Sequence, residues 1–365
     1  MPTKLRFPTL HDADFMPTPH ATHPPEAPSP DAGIDIVYLW VDGSDPVWQR
    51  KRHLAYANWI DLNPNELAVF GNAAGRYRDN GELRFNLRAL EKFFPQHGHI
   101  YIVTDGQSPR WLRHHPGVTL VDHQDLLPQG QGPVFDSGNI ESYLHRITGL
   151  SERFIYMNDD VFFGAPVDIN WWFGPQPKVF LETSKVPDFE GYQPGETSLI
   201  NASLLSRDWL GHHYPGYRHE ARVFSHAPRP MLKSAVQELE ALAPDLFTHL
   251  RSTTFRSWRV PALVPDLVPR WMVQMGYAEQ RTLDPLHICA CGPQAEQELK
   301  SLAEQFGTLP FFCINDTCDD AHDNDRRLLR ISDALQALLP VPSSFESIFQ
   351  APAQESLSEA SDCMA

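Results

Sequence analysis

Acidic side chains follow one hydrophobic run after another in this 365-residue chain, and they are the residues best suited to do chemistry. The runs VYLWVDGSD, YIVTDG, LVDH, FIYMNDD and FFCIND carry Asp42, Asp105, Asp122, Asp159, Asp160 and Asp316. Ligands of open parallel sheets lie beyond the carboxyl ends of the strands, so we expect these carboxylates to converge on one crevice. Carboxylate oxygens bind Mg²⁺ or Mn²⁺, and such an ion also binds phosphate oxygens. The pattern therefore favours a metal-dependent site for a phosphorylated ligand.

A simpler interpretation applies to each acid taken singly, because aspartate at the end of a strand often forms a turn or caps the next helix. Residues 42–46, DGSDP, suit a helix start, with a glycine turn, a capping Ser44 or Asp45, and Pro46 at the first helical position. The same turn can present backbone N–H groups to a phosphate or to a base edge. The recurrence of the pattern, and the doublet Asp159-Asp160 above all, favours a shared site.

Arginine and histidine side chains near these acids would supply positive charge and a proton acceptor. Arg84 and Arg88 are four residues apart, so they share one face of a predicted helix, and guanidinium groups suit bidentate phosphate binding. Routine ion pairs with nearby acidic residues are the alternative. Farther along the chain, His226 and Arg256 stand in proline-rich or aromatic-rich surroundings. A single histidine is more often structural than catalytic.

Hydrophobic periodicity predicts the elements that must position these groups. Short runs rich in β-branched and aromatic residues alternate with helical patterns, which is typical of doubly wound α/β folds. Strands are predicted at 34–41, 100–104, 118–121, 154–157 and 310–314, and helices at about 81–94, 137–147, 293–306 and 325–339. The stretch 165–285 has weak periodicity, which indicates loops and short helices over the sheet. We therefore expect an α/β fold with a Rossmann-like, mostly parallel sheet flanked by helices, and a loop- and helix-rich cap or inserted lobe.

Composition divides the chain into three parts. Residues 1–33 are proline-rich and polar, which predicts a disordered leader, and residues 346–365 predict an acidic flexible tail. Residues 34–345 predict a single folded domain, with the cap at about 165–285. The phosphate-binding motifs G-x-x-x-x-G-K-[ST] and G-x-G-x-x-G do not occur in the sequence, so neither a P-loop ATPase nor a dinucleotide oxidoreductase is indicated.

The net charge and the number of cysteines indicate which classes of partner the protein can bind and in which cellular compartment it resides. The 30 Lys and Arg residues against 46 Asp and Glu give a net charge of −16, which repels nucleic acid and anionic lipid. No apolar run approaches the roughly 20 residues of a membrane span, and the sequence starts without a signal-peptide core. We therefore expect a cytoplasmic protein that does not bind nucleic acid. The 5 cysteines are too few and too unevenly spaced for a disulfide framework, which predicts ordinary buried thiols, with a four-thiolate zinc site as the lesser alternative.

Together these motifs resemble the conserved blocks of the Stealth family, which includes bacterial capsular polysaccharide phosphotransferases and the catalytic subunit of the lysosomal-enzyme N-acetylglucosamine-1-phosphotransferase. The first block resembles residues 34–46, and the second runs from RDNGELRF at 78–85 to YMNDDVF at 156–162. A third, looser block is similar to the region of His226 and Arg256, and a short fourth resembles CIND at 313–316. Asn86 departs from the second block, where serine is common.

The resemblance implies a role for each candidate residue. The metal ligands for Mg²⁺ or Mn²⁺ would be Asp159, Asp160 and Asp316. The catalytic residues would be Asp160, His226, Arg256 and Asp316, with His226 as the candidate base and the arginine on phosphate. The nucleotide-sugar site would consist of Trp40, Asp42, Gly43, Asp45, Arg84 and Asp105. Spacing alone does not separate the carboxylate that binds metal from one that accepts a proton.

The activity that the resemblance implies is transfer of a hexose-1-phosphate, for example N-acetylglucosamine-1-phosphate, from a nucleotide diphosphate sugar to a sugar hydroxyl. The product would be a phosphodiester-linked capsular or cell-surface polysaccharide, with release of a nucleoside monophosphate. An oligosaccharide or lipid-linked glycan would be the acceptor, which leaves open a peripheral contact with capsule machinery at the inner face of the cytoplasmic membrane. Two other classes also stay open: a metal-dependent glycosyltransferase that uses nucleotide sugars, and a non-catalytic carbohydrate-binding assembly subunit.

Overall fold

The computed structural model describes residues 33–187, 189–322 and 324–347 of the chain. The predicted leader at 1–33 and the predicted tail at 346–365 therefore lie outside the described residues, except for Gly33, Glu346 and Ser347. No helix in the described part of the chain is long and apolar enough to cross a membrane.

Strands and helices alternate along the chain, as the periodicity predicts. The strands are β1 (Asp35–Leu39), β2 (Ile100–Thr104), β3 (Val118–Asp122), β4 (Arg153–Asn158), β5 (Val161–Phe163), β6 (Lys178–Lys185), β7 (Arg222–Phe224), β8 (Arg229–Leu232), β9 (Glu279–Thr282), β10 (Leu286–Cys289) and β11 (Phe311–Asn315). The helices are α1 (Pro46–Ile60), α2 (Glu82–Phe93), α3 (His123–Leu126), α4 (Ser137–Glu141), α5 (Ile169–Trp172), α6 (Ser198–His213), α7 (Lys233–Leu242), α8 (Pro244–Leu250), α9 (Val268–Gln274), α10 (Ala295–Gln305) and α11 (Arg326–Leu338).

The largest sheet has the strand order β3-β2-β1-β4-β8, in which the first four strands run parallel and β8 runs antiparallel. In the central strand, Ile36 and Tyr38 pack into one hydrophobic core and Val37 packs into another. Both faces of the sheet are therefore covered, which explains why the central strands are mostly apolar rather than alternating between apolar and polar residues. The prediction of an α/β fold with a mostly parallel sheet is confirmed.

A second sheet carries the last predicted strand. β11 pairs in parallel with β10 and antiparallel with β5, in the order β10-β11-β5. The expectation that the acid after β11 ends a strand of the main sheet is therefore wrong, because Asp316 follows a strand of a separate sheet. Only Asp159 and Asp160 separate β4 from β5, so this doublet lies at the junction of the two sheets.

The stretch 165–285 contains more regular structure than its weak periodicity predicts. A third sheet with the order β7-β6-β9 lies within it, together with the 16-residue helix α6. β8 comes from the same stretch but joins the edge of the main sheet. Strands such as β7, with 3 residues, are too short to show a period of two, which is why the sequence indicated only loops and short helices here.

The helix predicted at 137–147 is interrupted. α4 ends at Glu141, and a turn of 3₁₀ helix follows at Leu144–Arg146. Asn139 donates hydrogen bonds to the carbonyls of Arg251 and Thr253, at 3.0 and 2.7 Å. Contacts to a distant segment thus replace continuation of the helix.

Two of the cysteines are paired. Cys291, just after β10, and Cys318, just after β11, form a disulfide with Cα atoms 6.2 Å apart. The expectation of free thiols is therefore wrong for this pair, and the bond also removes two thiolates from the zinc alternative. Cys289 and Cys313 are free thiols. The disulfide ties together the loops that follow two neighbouring strands.

The chain beyond the predicted domain end packs against α2. Glu346 is 3% exposed, and its carboxylate accepts hydrogen bonds from Arg84 Nε at 2.5 Å and from Arg88 Nε at 2.6 Å. Arg88 Nη2 also donates to Glu346, at 2.8 Å. Glu346 is thus part of the packed structure rather than of a flexible tail.

Candidate active site

Asp159 and Asp160 form the two-residue turn between β4 and β5, at the carboxyl end of a main-sheet strand. Asn86 of α2 holds this turn, because its Nδ2 donates to the carbonyls of Asp159 at 3.0 Å and Val161 at 2.5 Å. Tyr38 Oη in turn donates to Asn86 Oδ1 at 2.9 Å. The residue that departs from the second sequence block therefore positions the acidic doublet.

The Asp160 side chain lies among polar groups of β11 and of the loop before β8. Its Oδ2 lies 3.1 Å from Asn315 Nδ2 and 3.6 Å from Cys313 Sγ, and its Oδ1 lies 3.8 Å from His226 Nε2. Oδ1 is buried and has no hydrogen-bond partner. A buried carboxylate oxygen without a partner is a candidate ligand atom for a cation, since buried polar atoms are normally paired.

More acidic side chains lie at the N-terminus of α2. Glu82 accepts hydrogen bonds from the backbone N–H and the side-chain amide of Asn80, at 2.6 and 2.8 Å, and the same amide lies 3.3 Å from Asp316 Oδ2. Asp316 also forms an ion pair with Arg78 at 2.5 Å, and Arg78 donates to two backbone carbonyls of the loop beyond β11. Asp316 therefore adjoins the acidic cluster but has its own counter-charge.

Burial and neighbouring acidic charges raise the pKa of Asp159 and of Glu82. Burial, followed by the charges of Asp160, Glu82 and Asp79, raises the pKa of Asp159 well above its ordinary value. Burial and then the charge of Asp79 raise the pKa of Glu82 to about 8. Carboxylates held this close are stabilised either by protons or by a cation.

His226 lies in the loop between β7 and β8 and faces Asp160. Its Nε2 lies 3.2 Å from Asn158 Oδ1, and its Nδ1 lies 3.6 Å from Cys313 Sγ. Because an amide oxygen only accepts hydrogen bonds, this contact assigns the ring hydrogen to Nε2 and leaves a lone pair on Nδ1. Burial lowers the pKa of His226 to about 4, against the opposing effect of Asp160, so the ring is neutral at neutral pH.

Guanidinium groups lie close to this histidine and to one another. Arg256 is near enough to lower the pKa of His226, and its Nη2 donates to Ser137 Oγ at 2.7 Å. Burial, followed by the charge of Arg256, lowers the pKa of Arg76, whose Nε is buried without a hydrogen-bond partner. Arginine donors that the protein leaves unpaired suit the oxygens of a phosphate group.

The turn after β1 is built largely by its own side chains. Asp42 Oδ1 accepts hydrogen bonds from the backbone N–H and the hydroxyl of Ser44, at 2.9 and 2.5 Å, and Asp45 caps α1. Gly43 N–H donates to the Tyr77 carbonyl at 2.7 Å, and a Cβ at Gly43 would lie 2.0 Å from that oxygen. The glycine is thus required by the close approach of two backbones.

The other candidate residues at the carboxyl ends of the strands also contact side chains or backbone groups of the protein itself. Asp105, after β2, forms an ion pair with Lys51 at 2.5 Å, and Asp122, after β3, caps α3. Trp40 is buried beside Asp79, and burial raises the pKa of Asp79 against the opposing effects of the Gly81 N–H and the Trp40 indole. The acids after β1 and β3 thus form a turn and a helix cap, and the acid after β2 forms an ion pair, while Asp316 after β11 is linked to the acidic cluster through Asn80 and Glu82.

Arg84 does not lie with the acidic cluster. Arg84 and Arg88 share a helix face, as their spacing predicts, but that face packs against Glu346. The Arg84 side chain is 40% exposed, and its Nε lies on the Glu346 carboxylate. Arg229 and Arg256, rather than Arg84, are the guanidinium groups close enough to lower the pKa of His226, and Arg76 lies near Arg256.

The side chains around the doublet fit a divalent cation. Asp159 and Asp160 offer hard oxygen atoms, one of which is buried without a partner, and Glu82 adds negative charge nearby. Oxygen ligands and an excess of negative charge match what Mg²⁺ and Mn²⁺ bind in proteins.

Three residues of this site were not singled out by the sequence patterns. Asn80 and Glu82 connect Asp316 to the cluster, and Asn158 orients His226. Asn158 directly precedes the acidic doublet, and Asn80 and Glu82 belong to the segment RDNGELRF, so their positions in the motifs were the available signal. Their partners come from distant parts of the chain and could not be read from local spacing.

Family models match two parts of the chain. Residues 33–55 match Stealth protein CR1, conserved region 1, and residues 76–180 match Stealth protein CR2, conserved region 2. The second match contains the acidic doublet, Asn86 and the N-terminus of α2. His226, Arg256 and Asp316 lie outside both matched regions.

Curated proteins similar to the chain carry related names. An exopolysaccharide phosphotransferase of Streptomyces coelicolor is 34% identical over 317 residues, covering 86% of this chain and 52% of the relative. The exopolysaccharide phosphotransferase CpsY of Mycobacterium tuberculosis is 29% identical over 346 residues, covering 94% and 62%. A capsular polysaccharide phosphotransferase of Actinobacillus suis is 31% identical over 300 residues, covering 78% of this chain and 76% of the relative.

The chain thus spans about half the length of the Streptomyces relative and less than two thirds of the mycobacterial one. Among solved structures, the galactosyltransferase LgtC in complex with donor and acceptor sugar analogues matches with a TM-score of 0.39 and 10% sequence identity. That match covers 85% of this chain and 98% of the galactosyltransferase.

Proposed function

The chain belongs to the Stealth protein family, and from this membership we propose that it transfers a hexose-1-phosphate from a nucleotide diphosphate sugar to a sugar hydroxyl. The bond that breaks is the one between the sugar-bearing phosphorus and the oxygen that bridges the two phosphates. A nucleoside monophosphate leaves, and a phosphodiester joins the two sugars. The observation that carries the proposal is the contact of the acidic doublet with a neutral histidine near Arg256, beside which Arg76 has a buried Nε without a hydrogen-bond partner in the described structure.

His226 is the proposed proton acceptor. An acceptor hydroxyl becomes a better nucleophile as it loses its proton, and a positioned neutral imidazole can take that proton. The hydrogen bond between Nε2 and Asn158 Oδ1, at 3.2 Å, fixes the ring and leaves the Nδ1 lone pair for this role. Because the pKa of His226 lies at about 4, the ring is unprotonated and ready to accept at neutral pH.

Arg256 and Arg76 are the proposed phosphate-binding residues. Negative charge stays on the nonbridging oxygens of the transferred phosphoryl group throughout the reaction, and preorganised guanidinium donors stabilise it. The buried Nε of Arg76 has no partner in the described structure, so a phosphate oxygen would satisfy it. Burial of Arg76 makes such a contact stronger than it would be in water.

Asp159 and Asp160 are the residues that would hold Mg²⁺ or Mn²⁺. Such an ion, when bound, would neutralise charge on the pyrophosphate. We assign Asp316 a positioning role, since its ion pair with Arg78 and its contact with Asn80 hold the loop beyond β11 against the N-terminus of α2. The turn of Trp40, Asp42, Gly43 and Asp45, together with Asp105, stays the proposed nucleotide side of the site.

The proposal includes an oligosaccharide or lipid-linked glycan as acceptor and residues 34–345 as the catalytic domain, with a cytoplasmic location at or near the inner membrane face. A lipid-linked acceptor predicts that a fraction of the protein sediments with inner-membrane vesicles that carry the glycan and not with vesicles that lack it. Equal sedimentation with both would contradict this part of the proposal.

The reaction is tested by its phosphorus-containing product. The protein is incubated with UDP-N-acetylglucosamine or a related donor, an oligosaccharide acceptor and Mg²⁺ or Mn²⁺, and the mixture is followed by phosphorus NMR. We expect UMP and a new phosphodiester resonance. Release of UDP without a phosphodiester would favour the glycosyltransferase alternative. If no donor in a panel reacts and Asp160→Asn leaves nucleotide-sugar and metal binding unchanged, the non-catalytic alternative holds.

A further inference from the structure

A histidine pair and a buried thiol meet beside the acidic doublet. One potential ligand atom from each of His226, His287 and Cys313 lies within 4.8 Å of the other two. His287 of β10 and Cys313 of β11 are register partners in neighbouring parallel strands, and His226 approaches from the loop before β8. Two imidazole groups and one sulfur atom, from three separate elements of the fold, therefore lie close together.

The distances within this group match the edges of a small coordination tetrahedron. Cys313 Sγ lies 3.6 Å from His226 Nδ1 and 3.6 Å from Asp160 Oδ2. Zinc–ligand bonds of about 2.0–2.3 Å in a tetrahedron place neighbouring ligand atoms about 3.3–3.8 Å apart. The two distances from Cys313 are thus already those of a tetrahedral site, and the ligand atoms of His226, His287 and Cys313 lie within 4.8 Å of one another.

The orientation of His226 also suits a metal ligand. Its Nδ1 faces the thiol, while its Nε2 bonds with Asn158 Oδ1 at 3.2 Å. Histidines that bind metal through one nitrogen commonly donate a hydrogen bond from the other, which fixes the ring. His287 is exposed, so the group has a path from solvent even though Cys313 is fully buried.

We propose that His226, His287, Cys313 and Asp160 form a binding site for a thiophilic divalent cation of the zinc class. Imidazole and thiolate are ligands that zinc prefers and that Mg²⁺ avoids, so this site differs in chemistry from the oxygen site of the doublet. The two sites share Asp160, and they therefore compete. On binding, the Cys313 thiol releases its proton to solvent and the sulfur bonds to the ion.

Occupation of the site has a consequence for the reaction, which rests on the proposed function. A metal on Nδ1 uses the lone pair that His226 would offer to the acceptor hydroxyl, while Nε2 keeps its hydrogen for Asn158. The imidazole is then unable to accept a proton. Zn²⁺ is therefore expected to inhibit transfer, and excess Mg²⁺ is expected to relieve the inhibition in part through competition at Asp160.

Binding is tested with Co²⁺ as a spectroscopic probe, on the full chain and without thiol reductant. A thiolate ligand gives an intense near-ultraviolet charge-transfer band, and tetrahedral geometry gives strong visible bands. We expect both at one equivalent of Co²⁺, and we expect Zn²⁺ to abolish them. Loss of a hydrogen-bond partner of a metal ligand typically weakens metal binding by roughly 10- to 100-fold. Because His287→Gln and Cys313→Ser each remove a ligand itself, Co²⁺ affinity should fall by more than this in both variants. The Cys313 variant should lose the charge-transfer band.

The controls use residues of the same types outside the group. His53→Gln changes an exposed histidine of α1 and should leave Co²⁺ binding unaltered. Cys289→Ser changes the neighbouring free thiol and should keep the charge-transfer band. Absence of the band in the unmodified protein, or its persistence in Cys313→Ser, would overturn the proposal. These spectra do not depend on turnover, so failure of the metal site and failure of the phosphotransferase proposal are distinguishable.

Discussion

Asp160 Oδ1 and His226 Nε2 lie 3.8 Å apart, one on the turn that joins two sheets and the other on the loop before β8. The residues are 66 positions apart in the chain, and the sheet order places them together. Burial lowers the pKa of His226 to about 4, against the opposing effect of the Asp160 charge. The imidazole is therefore neutral at neutral pH and supplies no counter-charge to Asp160.

Replacing Asp160 by Asn tests whether Asp160 binds a cation, in contrast to the aspartates that cap helices at the ends of other strands. Loss of one charged ligand is expected to weaken Mn²⁺ binding at least 10- to 100-fold and to lower transfer by about 10² or more. Calorimetric titration and monophosphate release measure the two effects. The matched control is Asp122→Asn, because Asp122 caps α3 and asparagine is an equally good cap. Equal losses in both variants would contradict the assignment.

His226→Gln should reduce turnover with little effect on donor binding. General-base catalysis contributes about 10² to 10⁴ in rate, so kcat should fall by that amount while KM for the nucleotide sugar changes little. Glutamine preserves a polar group that can bond with Asn158, which limits the loss of stability. Unchanged kcat in a variant that unfolds at the wild-type temperature would rule out His226 as the base.

Gly43→Ala should destabilise the turn after β1. The new Cβ would lie 2.0 Å from the Tyr77 carbonyl oxygen, so one of the two backbones must shift, at a cost of about 1–3 kcal/mol or more. Gly211→Ala is the opposite control, since Gly211 lies within α6 and no atom meets a Cβ built there. That substitution should stabilise the protein by about 0.5–1 kcal/mol. Urea unfolding measures both, and equal effects would refute the steric argument.

Glu346→Gln should destabilise the protein in a pH-dependent manner. Burial raises the pKa of Glu346, but hydrogen bonds from Arg88, the Ser343 N–H and Arg84 outweigh burial and lower the pKa to about 2. The unfolded carboxyl has a pKa near 4.5, so the ionised group stabilises the fold above that pH, and this contribution is lost as the pH falls from 4.5 toward 2.

At pH 7 the loss should be about 3–5 kcal/mol, since the variant leaves the buried Arg88 without its counter-charge. The difference from wild type should shrink at pH 3. Glu296→Gln is the control, because Glu296 is an exposed partner of Lys300 in α10 and its pair contributes about 0.5 kcal/mol or less. A pH-independent difference for Glu346→Gln would show that packing, not charge, is lost.

The main sheet and the acidic doublet could be predicted because their signals are local. Ile36 and Ile100 belong to apolar runs flanked by turns, and the doublet Asp159-Asp160 directly follows such a run. The three-stranded sheets could not be predicted in the same way. β7 has 3 residues, and pairings such as that between Cys313 and Val161 join segments about 150 residues apart, which no sequence period records.

The roles of the individual acidic residues also could not be predicted from the sequence, because they depend on contacts between distant segments. Asp42, Asp105 and Asp316 occupy similar positions after a strand, but what distinguishes them is the partner each one meets. Asp42 bonds within its own turn, Asp105 meets a lysine from α1, and Asp316 meets Arg78 across 238 positions of sequence. Only the contact of Asp42 within its own turn could be predicted from neighbouring residues in the sequence.

The turn of Asp159 and Asp160 is also the covalent link between β4 of the five-stranded sheet and β5 of the three-stranded one. A ligand that binds both carboxylates would also restrain the angle between the two sheets, because the two residues join one sheet to the other. We therefore expect binding at the turn to reduce the motion of one sheet relative to the other. Slower amide hydrogen exchange along the whole length of β10 and β11, beyond the residues that adjoin the turn, would be the sign of this effect.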